Sequence, residues 1–112
     1  MGRFALIIAN SKYEDKKLAE LPSTLQDAED LERVLKNPDL GNFKVETIIN
    51  QESSAILKAV ENFTAECPSD DLLFIQFSTH GLKDNDGELY FAAANTLTDR
   101  LVSSAIPAST IH

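Results

Sequence analysis

Two short apolar runs constrain the fold of this chain more than any other feature. Phe4-Ala5-Leu6-Ile7-Ile8-Ala9 is apolar at every position, and Leu72-Leu73-Phe74-Ile75-Gln76-Phe77 at all but one. A half-exposed strand would alternate apolar and polar residues. A run without alternation reads as a strand buried on both faces, the pattern of parallel sheets covered by helices. The segments between the runs fit that reading. Leu25, Ala28, Leu31, Val34 and Leu35 recur at helical spacing, and Asn37-Pro38 ends them, because proline disfavours helical geometry at the residue before it. Ser23-Thr24-Leu25-Gln26 offers a capping box, and Asp27, Glu29, Asp30 and Glu32 are read as acids in the first turns, favourable to the helix dipole. Phe43, Val45, Ile48 and Ile49 form a second strand. Ser53 or Ser54 then caps a second helix with Ile56, Leu57, Val60 and Phe63 on one face.

After the third strand, Asp84-Asn85-Asp86-Gly87 reads as a turn and Glu88 to Ala93 as a further strand. Cys67-Pro68-Ser69-Asp70 reads as a loop. The tail from Thr98 is ambiguous, with Pro107 a candidate opening for a third helix. The order β-α-β-α-β followed by a hairpin argues for an α/β fold, with parallel strands joined by right-handed helical crossovers.

Composition excludes several classes. At 112 residues, the chain is one ordinary domain in size, with a folded protein's share of hydrophobic residues, 43%. Ten Lys and Arg against eighteen Asp and Glu give a net charge of −8, which repels phosphate backbones and argues against nucleic acid as a partner. No apolar run reaches the roughly 18 residues of a membrane span, and no secretory signal is recognisable. With a single cysteine, Cys67, no internal disulfide is available, so the expected location is cytoplasmic. The four glycines, at 2, 41, 81 and 87, spell neither a dinucleotide fingerprint nor a P-loop, and two histidines with one thiol make no zinc cage. No cofactor and no metal is expected. Asp84, Asp86 and Glu88 are better explained by a hairpin turn than by a calcium loop.

Ligands of open parallel sheets bind beyond the carboxyl ends of the strands. That rule singles out Asn10-Ser11 after the first strand and Ser78-Thr79-His80-Gly81 after the third. His80 is the strongest candidate: it leaves a buried strand at the functional edge, and Gly81 is expected to let the chain turn sharply behind it. The alternative is a loop histidine bonded to its own turn. Cys67 precedes the third strand and His80 follows it. The strand between them spans roughly 20 Å at about 3.3 Å per residue, which separates the two side chains. Ser78 and Thr79 lack the elbow motif of a hydroxyl nucleophile.

These segments, taken in order, resemble the caspase-like domains, a group that includes caspases, metacaspases and prokaryotic relatives. Phe4 to Asn10 is similar to the opening strand of that family. Leu21-Pro22 through Asp27-Ala28-Glu29-Asp30-Leu31 to Val34-Leu35 resembles its first helix, and Gly41-Asn42-Phe43-Lys44-Val45 its second-strand entry. Asp70 to Gly81 resembles the strand that delivers the catalytic histidine and normally ends Ser-x-His-Gly, with Gly87-Glu88-Leu89-Tyr90-Phe91 the hairpin beyond. The resemblance runs from about residue 3 to residue 95. It implies a three-layer α-β-α sandwich around a mostly parallel sheet, incomplete in this chain, and a cysteine endopeptidase working through a Cys/His dyad. His80 would be the dyad histidine and the Gly81 amide would lie near the oxyanion. By resemblance to the metacaspase branch, Asp27 and Ser78 would bind a basic P1 residue of a polypeptide substrate. For Asp27 the competing reading is an acid placed for the helix dipole. Arg3 is poorly placed to bind an acidic P1.

Two departures stand out. Thr79 occupies a position where most members carry glycine, which reduces local backbone freedom. The nucleophile is also missing: in caspases the cysteine follows the histidine by roughly 50 residues, at about position 130 here. Residues 1–112 therefore read as the N-terminal part of one caspase-like domain, inert alone. Its expected partners are its own C-terminal part or a fused or adjacent sensor module. A non-catalytic caspase-like interaction or regulatory domain is the second reading, and a generic flavodoxin-like or receiver-like α/β domain the third.

Overall fold

The structure, a computed structural model, describes residues 2–66 and 71–111. The Cys67-Pro68-Ser69-Asp70 loop, and with it the position of Cys67, lies outside the described residues. Strand β1 (Arg3–Ala9) is followed by helix α1 (Ser23–Lys36), β2 (Lys44–Ile49), α2 (Ser53–Glu66) and β3 (Leu72–Ser78). The three strands form one parallel sheet in the order β2-β1-β3. The order explains the layering. The chain steps one way from β1 to β2 and the other way from β2 to β3. Two right-handed crossovers in opposite directions must leave their helices on opposite faces.

The packing follows from the central strand. Ala5 to Ala9 are fully buried. Successive side chains of a strand face opposite ways. Leu6 and Ile8 meet Ile56, Val60 and Phe63 of α2, whereas Ile7 and Ala9 meet Ala28, Leu31 and Leu35 of α1. The unbroken apolar run is thus the signature of a strand with a helix on each side, a three-layer α-β-α arrangement. Leu57, expected on the buried face of α2, sits at its margin and is 36% exposed.

The helix starts differ from the capping expected. Ser23 is the first residue of α1, not its cap. Pro22 precedes the helix, no side chain caps it, and Gln26 donates to Asp30 instead. The acids begin only in the second turn. There Asp30 pairs with Arg33 at 3.3 Å and Glu32 with Lys36 at 3.2 Å, exposed pairs of little energetic weight. Glu32 also accepts a hydrogen bond from Thr47 on β2, and this bond, then Lys36, holds its carboxyl below the usual range. In α2 neither serine is the cap. Ser53 is the first helical residue, and its N–H donates to Asn95 Oδ1 at 2.8 Å. The cap comes from 42 residues away, so no local pattern announces it. Asn37 ends α1 in extended geometry before Pro38, as its sequence requires.

Beyond β3 the chain builds a second, antiparallel sheet, β4 (Gly81–Lys83), β5 (Leu89–Ala92) and β6 (Ala105–Pro107), in that order. The β4-β5 turn places Gly87 at φ 82, and Asp84 Oδ1 accepts from the Asp86 and Glu88 amides. Those acids serve the hairpin. Tyr90 on β5 is buried, and burial, with Asp84 and Glu88 nearby, pushes its phenol up. The tail resolves into the short helix α3 (Leu101–Ser104), β6 and a 3-10 turn at Ala108–Ile111, so Pro107 closes a strand and does not open an α-helix. Phe91 stacks on Phe77 at 4.3 Å, and Ile106 joins the α2-side core, which fixes the small sheet against the large one. Strand β3 differs from β1. Among the described residues it pairs only with β1, and Leu72 and Leu73 are 48% and 38% exposed. No described helix is long and apolar enough to cross a membrane.

Candidate active site

The chain leaves β1 towards β2, whereas β3 lies on the other side of β1, so the carboxyl edge between β1 and β3 is where an open α/β sheet of this order places its ligands. His80 lies at that edge, two residues beyond β3. Its Nε2 lies 2.8 Å from the Ala19 carbonyl oxygen, and its ring lies against Tyr13 with centroids 5.1 Å apart. A carbonyl oxygen only accepts, so this contact requires the proton on Nε2. In the neutral ring Nδ1 is then left with a lone pair, the form a general base needs. His80 is therefore not bonded to its own turn. It is held by a loop 61 residues earlier in the chain.

That loop, residues 11–22, is pinned at several points. Leu21 N–H donates to the Ser11 carbonyl, Glu14 N–H to the Ala94 carbonyl, and Asn50 Oδ1 accepts from the Ser11 and Lys12 amides. Asn50 follows β2 with φ 52, a left-handed geometry that asparagine tolerates better than most residues. Asp15 ties the loop to the segment after β5. Its carboxylate accepts from the Thr98 amide at 2.8 Å and the Lys17 amide at 2.9 Å. These two bonds, Thr98 first, hold its pKa below the ordinary value. A carboxyl with a depressed folded-state pKa contributes stability that is present above the ordinary value. It is lost as pH falls through the depressed one. Asp15→Asn is therefore expected to lower the urea midpoint at neutral pH and to flatten its decline on the acid side. Parallel midpoint-against-pH curves for the two proteins would show that Asp15 contributes nothing of this kind.

Gly81 does not make the sharp turn expected of it. It lies in β4 without a positive φ, and a Cβ there would meet only Leu89 at an ordinary 3.5 Å. Its amide is notable for another reason. The Ala92 amide donates to the His80 carbonyl at 2.9 Å, so Gly81 and Phe91 form a non-hydrogen-bonded pair of the antiparallel ladder. The Gly81 N–H consequently points away from β5, towards the open edge of β4. Thr79 likewise carries no backbone penalty: among the described residues, Asn42 and Asn50 are the non-glycines with positive φ. The lost glycine freedom is not needed.

Ser78 is in register with Ala9, so its side chain faces the α1 layer. Ala28 packs on that same layer, and Asp27 precedes it at the carboxyl-edge end of α1. Asp27 is exposed and, among the described residues, takes part in no ion pair. Both residues thus lie on the α1 side of the sheet, and among the described residues no hydrogen bond joins them.

The family model for the caspase domain matches residues 2–107. The chain belongs to the caspase-domain family. The matched residues run through both sheets, from β1 to the end of β6. Membership in a peptidase family displaces the generic flavodoxin-like or receiver-like reading. No curated protein gives a significant match. Within this caspase domain, sequence reasoning singled out His80 but neither Tyr13 nor Ala19, the groups that contact its ring. Tyr13 lies one turn beyond a strand end, a position open to suspicion. Ala19 contributes only a backbone carbonyl, which no residue type signals.

Proposed function

We propose that the chain is the histidine-bearing, N-terminal part of a single caspase-like domain, a cysteine endopeptidase whose thiol comes from a following segment. The observation that carries this reading is the His80–Ala19 contact, because it puts the proton on Nε2 and leaves Nδ1 with the lone pair a general base needs. The half-exposed, apolar β3 supports the second half of it. An uncharged edge strand is a liability in a finished domain, and a further strand alongside would cover it. The segment roughly 50 residues after His80 is the one that would bring the cysteine.

The steps follow from the proton inventory. His80 Nδ1 takes the thiol proton, and the thiolate adds to the scissile carbonyl. The oxygen that becomes negative is held by the outward Gly81 N–H. The imidazolium returns its proton to the leaving amine as the C–N bond breaks, giving a thioester. Water, deprotonated by the same nitrogen, then releases the acid and regenerates the thiol. Without the thiol of that following segment, residues 1–112 are expected to hydrolyse nothing.

The preferred P1 residue is Arg or Lys. Asp27 and Ser78 on the α1 side supply a carboxylate and a hydroxyl suited to a guanidinium or ammonium. In the intact protein, Asp27→Asn is expected to reduce kcat/KM for an Arg-P1 peptide by about 10- to 100-fold, the worth of a charge-assisted hydrogen bond. A peptide with a neutral P1 is expected to change little. An equal loss on both peptides, or a preference of the wild type for Asp at P1, would overturn this assignment.

A further inference from the structure

Beside His80 lies a pair of hydroxyls that the steps above do not use. Tyr13 Oη is 2.7 Å from the Asn10 carbonyl and 2.7 Å from Thr79 Oγ1, and Thr79 Oγ1 is 2.7 Å from the Ala92 carbonyl. The His80 backbone N–H also donates to Tyr13 Oη, at 3.4 Å. Three short oxygen contacts share two hydroxyl protons. The Ala92 carbonyl already accepts from Asn10 Nδ2 at 3.0 Å. Thr79 Oγ1 donates to the Ala92 carbonyl. Tyr13 Oη then shares its one proton between the Asn10 carbonyl and Thr79 Oγ1, and accepts from the His80 N–H. Tyr13 Oη thereby ties the end of β1, the end of β3 and the start of the β4 hairpin to one atom. The same tyrosine's ring lies against the imidazole.

We propose that Tyr13 and Thr79 are positioning residues, a hydroxyl clamp that sets the His80 ring against the Ala19 carbonyl and so fixes the Nε2–H tautomer. The proposal rests on the reading of His80 as the base. It assigns a role to the threonine that stands where most caspase-like domains carry glycine: its hydroxyl completes a bond that glycine could not make.

The test reads the tautomer directly and needs no peptidase activity. Nitrogen-15 spectra of the 112-residue chain, in a His112→Gln background so that only His80 reports, give the ratio of Nε2–H to Nδ1–H above the ring's titration. Wild type is expected to be predominantly Nε2–H. Tyr13→Phe, which keeps the ring, and Thr79→Val, which keeps the shape, are each expected to lower that ratio about fivefold or more. Thr79→Ser, which keeps the hydroxyl, is expected to retain it. The double variant should fall no further than either single, because both break one unit. Amide spectra establish that each variant remains folded. An unchanged ratio in either Tyr13→Phe or Thr79→Val would overturn the clamp, and so would Thr79→Ser behaving like Thr79→Val. A tautomer held in place in an intact protein that hydrolyses no peptide would instead overturn the peptidase reading and leave the clamp standing.

Discussion

His80→Ala in the intact protein is expected to reduce kcat/KM for an Arg-P1 peptide by about 10³- to 10⁶-fold. The size follows from the number of proton transfers assigned to one nitrogen. In the proposed steps His80 takes the thiol proton, gives it to the leaving amine and activates water, and it is the one histidine among the described residues. Binding should be largely spared, because Asp27 and Ser78, the proposed P1 contacts, are untouched. The loss should therefore fall on kcat while KM moves little. His80→Gln, which retains a polar side chain without a basic nitrogen, should be nearly as impaired. A reduction of less than about tenfold in His80→Ala would remove His80 from the chemistry and favour a non-catalytic caspase-like domain.

Ile8→Ala is expected to be the most damaging of the simple truncations. Ile8 is fully buried on the central strand, facing α2 across Ile56 and Val60. Shortening such a side chain loses its transfer free energy and leaves a cavity, about 2–5 kcal/mol together. Whole domains have only about 5–15 kcal/mol to lose. A fall in Tm of roughly 10–25 °C should follow. The control is Val102→Ala, a truncation at a site 80% exposed, where less than about 0.5 kcal/mol is expected. Urea unfolding of the three proteins checks both numbers. Similar midpoints for Ile8→Ala and wild type would contradict the place given to β1 as the centre of a two-sided core.

What was legible in the sequence was whatever a side-chain pattern carries. Phe4 to Ala9 announced a doubly covered strand because Leu6 and Ile8 meet α2 while Ile7 and Ala9 meet α1, and Pro38 announced the end of α1 through backbone sterics alone. What was illegible depended on groups brought together from afar. The cap of α2 is Asn95, not a neighbouring serine. The capping box at Ser23 did not form, because the helix already begins at that residue after Pro22. Strand β6 is three residues of ambiguous tail that become a strand only against β5. At the site, the histidine was visible as a residue at a strand end, but the atom that orients it is a backbone oxygen. Thr79 looked like a lost glycine; its φ needs no glycine, and its hydroxyl bonds to Tyr13.

The most direct measurement of the central claim, that His80 serves a thiol arriving from beyond His112, is labelling of the intact protein with an Arg-P1 acyloxymethyl ketone peptide, followed by mass-spectrometric mapping. The expected result is one equivalent of label on a single cysteine roughly 50 residues after His80, at a rate cut sharply in His80→Ala. Label on Cys67, or labelling at an unchanged rate without the imidazole, would contradict it.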